Sequence, residues 1–295
     1  MPDVLVGRLA CPACRLALEP VAGGLACATC GARYATRHGV IDARPLARAA
    51  VQGDAEAWDA HWAPETQRSL AQRFFSVYRR VVFARTVRHF VTRYLPSRGV
   101  LLEAGSGTAE TSIRLAPRRA GRLLVALDLV PAILERCAPV VDVRVAGDAF
   151  RLPFADGAVD GIWNVGVMEH FTHPQIDRML EEFHRVLRPG GRVVLLWPGT
   201  DAVPQHLLDA LAWMINRRRG RGPPFRFHPP EISRLRSVRQ GREVLRRNGF
   251  TPVAADPGWY SGMAFKTIVG EKPTRAPGDG GAATPRAAGD AWTDR

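Results

Sequence analysis

An apolar run that ends in an acid and a glycine turn, Val100-Leu-Leu-Glu103-Ala-Gly105-Ser-Gly107, constrains this chain most strongly. It opens a series in which strand-like and helix-like stretches alternate. The strand-like runs are VLLEAG at 100–105, RLLVALD at 122–128, VDVRVAG at 141–147, VDGIWNVG at 159–166 and RVVLLW at 192–197. Helical stretches fall near 109–116, 131–138 and 174–187. Such alternation predicts an α/β fold, a parallel sheet covered by helices on both faces. Ligands of such sheets sit beyond the carboxyl ends of the strands. The glycine turn lies at the first of those ends.

The chemistry of the turn narrows the ligand. A dinucleotide fingerprint places a third glycine where this chain has Glu110. An acid there would repel a pyrophosphate, and Glu103 adds a second negative charge. S-adenosylmethionine has no phosphate and carries a sulfonium and an ammonium, so it suits this turn better. Asp128 ends the next strand 23 residues after Gly105, near the spacing of a carboxylate that grips ribose hydroxyls. Asp148 follows the third strand, within reach of an adenine amino group.

Four of the five cysteines fall near the start, as Cys11-Pro-Ala-Cys14 and Cys27-Ala-Thr-Cys30. Two such knuckles with 12 residues between them can bring four thiolates around one tetrahedral zinc ion, with a hairpin turning at Gly23-Gly24 between them. His38 reads as a solvated turn residue and Cys137 as a buried apolar one. The stretch 11–42 resembles the zinc ribbons found on some bacterial methyltransferases and on Trm112-like activator proteins.

E-x-G-x-G at 103–107, Asp128, GDAFRLPFADGAVDGIWNVGVMEHF at 147–171 and FHRVLRPGGRVVLLWPG at 183–199 together resemble class I S-adenosylmethionine-dependent methyltransferases. The likeness is to the group that includes the ubiquinone/menaquinone enzymes. It spans about residues 98–200, and GMAFKTIVGEKP at 262–273 is similar to that family's antiparallel last strand. It implies a Rossmann-like sheet of seven strands with helices on both faces, plus the small N-terminal zinc ribbon. Glu103, Gly105, Ser106 and Gly107 would line the methionine end. Asp128 would bind ribose and Leu129 would flank adenine. Asp148 and Ala149 would contact adenine, and Asn164 and Val165 would face the sulfonium. Ala109 stands where the family often has a third glycine. The organisation expected is a zinc ribbon over 1–45, a helical segment or lid over 54–96, a methyltransferase domain over 97–273 with a substrate-side insertion at 204–248, and a disordered tail over 274–295.

His170 is the candidate base for methyl transfer, with Glu169 and His173 weaker candidates. In 54–95, Phe74, Tyr78, Val81, Val82 and Arg85 are expected to share one helix face. In 204–221, Leu207, Leu208, Leu211, Met214 and Ile215 form an apolar stripe ahead of Arg217, Arg218, Arg219 and Arg221. That stripe fits a core-facing lid, an acceptor pocket with an anion clamp, or a helix lying on an anionic membrane surface. The net charge of +13, nearly all arginine, favours an anionic partner, with a small-molecule or lipid-linked acceptor ahead of ribosomal RNA guanine. A non-catalytic cofactor-binding partner protein is the third alternative. No apolar run reaches the ~20 residues of a membrane span. The first residues lack a signal-peptide pattern, so a cytoplasmic protein is expected.

Overall fold

A computed structural model describes residues 5, 7–45, 76–115, 121–219 and 231–274 of the chain. Its strands are β1 (Glu19–Val21), β2 (Gly24–Ala26), β3 (Arg33–Arg37), β4 (Val40–Asp42), β5 (Gly99–Ala104), β6 (Arg122–Asp128), β7 (Val143–Ala146), β8 (Val159–Val165), β9 (Leu187–Pro198), β10 (Thr251–Asp256) and β11 (Phe265–Glu271). The helices are α1 (Ala84–Tyr94), α2 (Pro131–Leu134), α3 (His173–Val186), α4 (Val203–Arg219) and α5 (Val238–Arg247). Seven strands in the order β7-β6-β5-β8-β9-β11-β10 form the expected sheet, parallel from β7 to β9, with β11 antiparallel to both its neighbours. The order reverses between β5 and β8, so a crevice opens at their carboxyl ends.

The sheet does not stop at β7. The cysteine-bearing segment folds as an antiparallel meander, and its last strand β4 pairs in parallel with β7, Val40 to Asp42 opposite Arg144 to Ala146. The ribbon is thereby continuous with the sheet, which has eleven strands among the described residues. The pairing satisfies the backbone of what would otherwise be an open edge. Arg15 adds a 2.8 Å ion pair to Glu182 of α3, and Arg151 donates to the carbonyl of Ala13. The hairpin between the knuckles turns at Ala22-Gly23, one residue earlier than expected. Gly24 instead lies within β2, at a position that requires glycine because a Cβ there would stand 2.1 Å from the carbonyl oxygen of Tyr34.

Alternation along β5 divides the core. Val100, Leu102 and Ala104 pack on one face with Ile176, Met179, Leu180 and Phe183 of α3 and with ribbon residues Leu9, Leu18 and Tyr34. Leu101 faces the other way, onto Phe83, Val87, Phe90 and Val91. This corrects the helix face expected around Tyr78: Val81 and Arg85 are exposed, while Tyr78 and Val82 only pack at the margin. A π-helical turn at Arg79–Phe83 inserts an extra residue into the period and rotates the buried face. Phe74 lies outside the described residues.

Two expected helices are shorter than read. Of the helix expected at 109–116, the residues described up to 115 form a 3-10 turn at Glu110–Ser112, entered through Ala109 in a left-handed conformation (φ 52°). α2 stops at Leu134, since Ala138 precedes Pro139 and donates its N–H to Thr108 instead of continuing a helix. The lid before residue 76 and the tail beyond 274 lie outside the described residues.

α5 and β10 complete the fold, and Gly241 marks the contact of α5 with the sheet. A Cβ at Gly241 would stand 2.6 Å from a side-chain carbon of Ile268 in β11. Alanine in a helix is ordinarily worth up to about 1 kcal/mol over glycine. Overpacking costs about 1–3 kcal/mol, so Gly241→Ala is expected to destabilise the protein despite its better propensity. Urea melts of the two proteins check the sign.

Candidate active site

The predicted cofactor residues come together at four adjacent strand ends. Gly105 (φ 71°) and Gly107 (φ 53°) carry the chain over the end of β5, in a backbone region where side chains are disfavoured. Space also demands glycine at the first position, since a Cβ on Gly105 would meet Val167, from the loop after β8, at 2.6 Å. The N–H groups of Gly105 and Ser106 donate to the carbonyl of Leu127. Asp128 accepts from the N–H of Gly107 (2.8 Å) and of Val130 (3.1 Å), so this carboxylate ties the glycine turn to the next strand end. Burial raises its pKa against the pull of those donors. Leu129 is half-buried beside it. Asp148 is buried and accepts from the N–H of Phe150 at 2.9 Å, with Ala149 half-buried between them. Cys137 is buried as expected, its thiol pushed up to about 12 by burial, and it donates to the carbonyl of Gly107.

Glu103 points to the α1 side of the sheet, in step with Leu101. The hydroxyls of Thr111 (3.0 Å) and Ser112 (2.7 Å) donate to its carboxylate. Burial pushes its pKa up to about 7 even so, with Ser112, Thr111 and Arg79 pulling the other way. On the far side of the crevice Asn164, the last residue but one of β8, is fully buried, and neither side-chain amide atom has a hydrogen-bond partner among the described residues. Leaving such groups unmade costs about 1–3 kcal/mol each. Buried, unsatisfied donors and acceptors at a switch-point crevice fit a polar ligand. An acid for an ammonium, an acid for a ribose and an orphaned amide suit S-adenosylmethionine.

The turn after β8 is richer than the sequence suggested. Glu169 and His170 follow β8 on a 3-10 turn, with His170 Nε2 3.7 Å from Glu169 Oε1. Glu169 is buried and its Oε2 lacks a hydrogen-bond partner among the described residues. Burial, and then the charge of Glu231, hold its pKa well above the usual carboxylate range. Its backbone carbonyl accepts from the N–H groups of Ile232 and Ser233. Glu231 and Arg234 in turn connect to α4 through Gln205 and Asp209. Distance in sequence hid this strap. His173 instead begins α3, behind a capping box in which Gln175 accepts from the N–H of Thr172.

α4 presents the predicted stripe in an unexpected direction. Leu207 (67% exposed), Leu211 and Met214 (48%) face solvent together with Val203, while Ala212 is buried and Leu208 and Ile215 are partly buried. The guanidinium of Arg217 lies 4.8 Å from the ring centre of Trp213. Residues 220 and 221 lie outside the described residues.

The sulfur atoms of Cys11, Cys14, Cys27 and Cys30 all lie within 4.8 Å of one another, and none forms a disulfide. Cys11 to Cys30 is 3.6 Å and Cys14 to Cys27 is 3.5 Å. Tetrahedral ligands on ~2.3 Å bonds stand about 3.8 Å apart, so four thiolates here could hold zinc. His38 is exposed on a turn, 3.7 Å from Glu135.

The raised pKa of Glu103 has a stability consequence. Between the unfolded value near ~4.3 and about 7, the native state holds a proton that the unfolded chain has lost. Without ligand, stability therefore falls as pH rises through this window. Glu103→Gln is expected to flatten that slope and to be more stable than the wild type at pH ~8, by about 2 kcal/mol, in urea melts across the range.

Comparison with known proteins agrees with this geometry. Residues 102–195 match the family described as "Methyltransferase domain". The malonyl-[acyl-carrier protein] O-methyltransferase of Dechloromonas aromatica is 37% identical over 170 residues, 57% of this chain and 59% of that protein. The demethylmenaquinone methyltransferase of Thermus thermophilus is 35% identical over 102 residues, 32% of this chain and 46% of that protein. The chain thus spans less than two thirds of either relative. A solved complex between the Haloferax volcanii Trm112 methyltransferase activator and a methyltransferase shares the fold, with a TM-score of 0.51 at 18% identity over 69% of this chain and 96% of that one. Residues 102–195 thus carry a methyltransferase domain, and these likenesses support a class I S-adenosylmethionine-dependent methyltransferase.

Proposed function

We propose that this protein transfers a methyl group from S-adenosylmethionine to a small-molecule acceptor that is lipid-linked and reached at an anionic membrane surface. When bound, the cofactor supplies a methyl group made electrophilic by its sulfonium. Glu103 and the 105–107 turn hold the methionyl end, Asp128 and Leu129 the ribose and adenine, Asp148 and Ala149 the adenine edge, and Asn164 with Val165 the sulfonium side. His170 stands after β8 as the side chain to take a proton from an oxygen or nitrogen acceptor. Burial, and then the charge of Glu231, hold the pKa of Glu169 beside it well above the usual carboxylate range.

The outward stripe on α4 carries the choice of acceptor. Val203, Leu207, Leu211 and Met214 lie at spacings of four, four and three residues, with Arg217 and Arg218 exposed at the end of the helix. An apolar face flanked by arginines matches an interface where acyl chains meet anionic headgroups. Among the described residues no helix is long and apolar enough to cross a membrane, so the contact would be peripheral.

We assign the four cysteines a structural zinc ion. Four thiolates leave no open coordination position, so the metal supplies no chemistry to the reaction. Its role would be to hold the meander whose β4 completes the sheet edge beside Asp148. Chelation at neutral pH is expected to destabilise the whole described fold by about 3 kcal/mol, lowering the melting temperature by roughly 6–12 °C. Calorimetry with and without added zinc measures it.

The function is tested with methyl-labelled cofactor and a lysate divided into lipid, small-metabolite and RNA fractions. Label is expected in lipid and lost with Asp128→Asn. Leu207→Glu with Leu211→Glu is expected to abolish sedimentation with phosphatidylglycerol vesicles while leaving cofactor binding intact. Label confined to RNA would replace this reading with a ribosomal RNA methyltransferase. Label in soluble metabolites alone would remove the membrane. Cofactor binding without any transfer would favour a non-catalytic partner protein.

A further inference from the structure

The site as described holds an ammonium, a sulfonium and a ribose, but it names no cation for the carboxylate of the cofactor's amino-acid end. The residues read as cofactor contacts, Glu103, Asp128, Asp148 and Asn164 with the small or apolar residues beside them, include no basic side chain. We propose that Arg79, on the π-helical turn before α1, binds that carboxylate while Glu103 takes the ammonium beside it. The inference rests on the reading of S-adenosylmethionine as cofactor.

Three observations carry it. First, Arg79 lies four residues before Phe83, which with Val87 and Phe90 packs under Leu101 of β5. Glu103 is two residues beyond Leu101 on the same side of that strand. The helix face that covers Leu101 therefore continues, at its start, over Glu103. Second, the turn is fastened to the glycine loop by its neighbours. Ser76 and Arg80 both donate to Glu110 Oε1 at 2.8 Å, and Arg114 donates to the carbonyl of Arg80. Third, Arg79 interacts electrostatically with Glu110, Glu103 and Asp128, with Arg80 the opposing like charge. Glu103 and Asp128 each feel Arg79 in return.

The charges then balance. Glu110 is matched by Arg80, which leaves Glu103 and Asp128 against Arg79 alone of these groups. The cofactor brings one net positive charge, from a sulfonium, an ammonium and a carboxylate, and neutralises the set. A π turn is a rare element that recurs at functional sites, and here its i→i+5 bond, from the N–H of Ala84 to the carbonyl of Arg79, fixes the residue in question.

Titration calorimetry of the full-length protein with two ligands decides it, S-adenosylmethionine and its decarboxylated form, which keeps the amine and sulfonium. The wild type is expected to bind the decarboxylated form about 10- to 100-fold more weakly, the scale of a charge-assisted contact. Arg79→Gln is expected to weaken S-adenosylmethionine by a similar factor and to bind both ligands alike. Arg79→Lys, which keeps the charge on a less demanding side chain, is expected to restore part of the preference. If Arg79→Gln and Arg79→Lys lose affinity equally for both ligands, the residue merely supports the fold and the proposal fails. Unchanged discrimination in the variants overturns it as well. No binding of either ligand by the wild type would instead remove the cofactor reading itself.

Discussion

β5 pairs in parallel with β6 on one side and β8 on the other, and the molecule is organised around that placement. Because connections leave those two neighbours in opposite directions, no crossover covers the end of β5. A gap is left there that only a ligand or a loop can fill. The glycine turn is the loop's solution: it bends away from β5 with two residues in left-handed conformations and leans on Val167 across the gap. Asp128 then holds the turn by its backbone. The same carboxylate that faces a ribose in the proposed complex thus first shapes the loop.

Much of this was legible in the sequence because it depends on short-range chemistry. Apolar runs such as RLLVALD become strands buried on both faces, and β6 has the bounds read from it. Acids at successive strand ends converge because parallel strands bring their carboxyl ends to one side. The cysteine knuckles meet because each supplies two sulfurs from one tight turn. Ala109 is an instructive intermediate case. The resemblance marks Ala109 as standing where a third glycine is often found, but its left-handed backbone appears only in the fold.

What escaped the sequence is whatever depends on long-range packing. β4 is the three residues Val40-Ile-Asp42, too short to signal a strand, and its pairing with β7 crosses more than a hundred residues. The π turn at Arg79–Phe83 leaves no mark in hydrophobic periodicity, yet it moves the buried face of α1 and carries Arg79, which interacts electrostatically with Glu103 and Asp128. α4 shows the reverse failure. Its expected stripe splits, with Leu207, Leu211 and Met214 facing solvent and Leu208 and Ile215 partly buried, because periodicity reports that a face is apolar and not which way it points. Ala212, outside that stripe, is buried.

α3 explains why the ribbon and the turn after β8 belong to one mechanical unit. Its buried Glu182 accepts ion pairs from Arg15 of the first cysteine knuckle and from Arg185, and its Oε2 takes the N–H of Leu152. A carboxylate so deeply placed is tolerable only while those partners remain. At its other end α3 begins at the Thr172 cap, directly after the turn that carries Glu169 and His170. Arg247 and Asn248 from α5 donate to Asp177 on its first turns. Displacing the knuckle would strip Glu182 of one arginine at one end of a helix whose start adjoins that turn. The cysteine-bearing segment therefore supports the strand ends through packing, by holding one end of α3 and, through β4, the strand before Asp148.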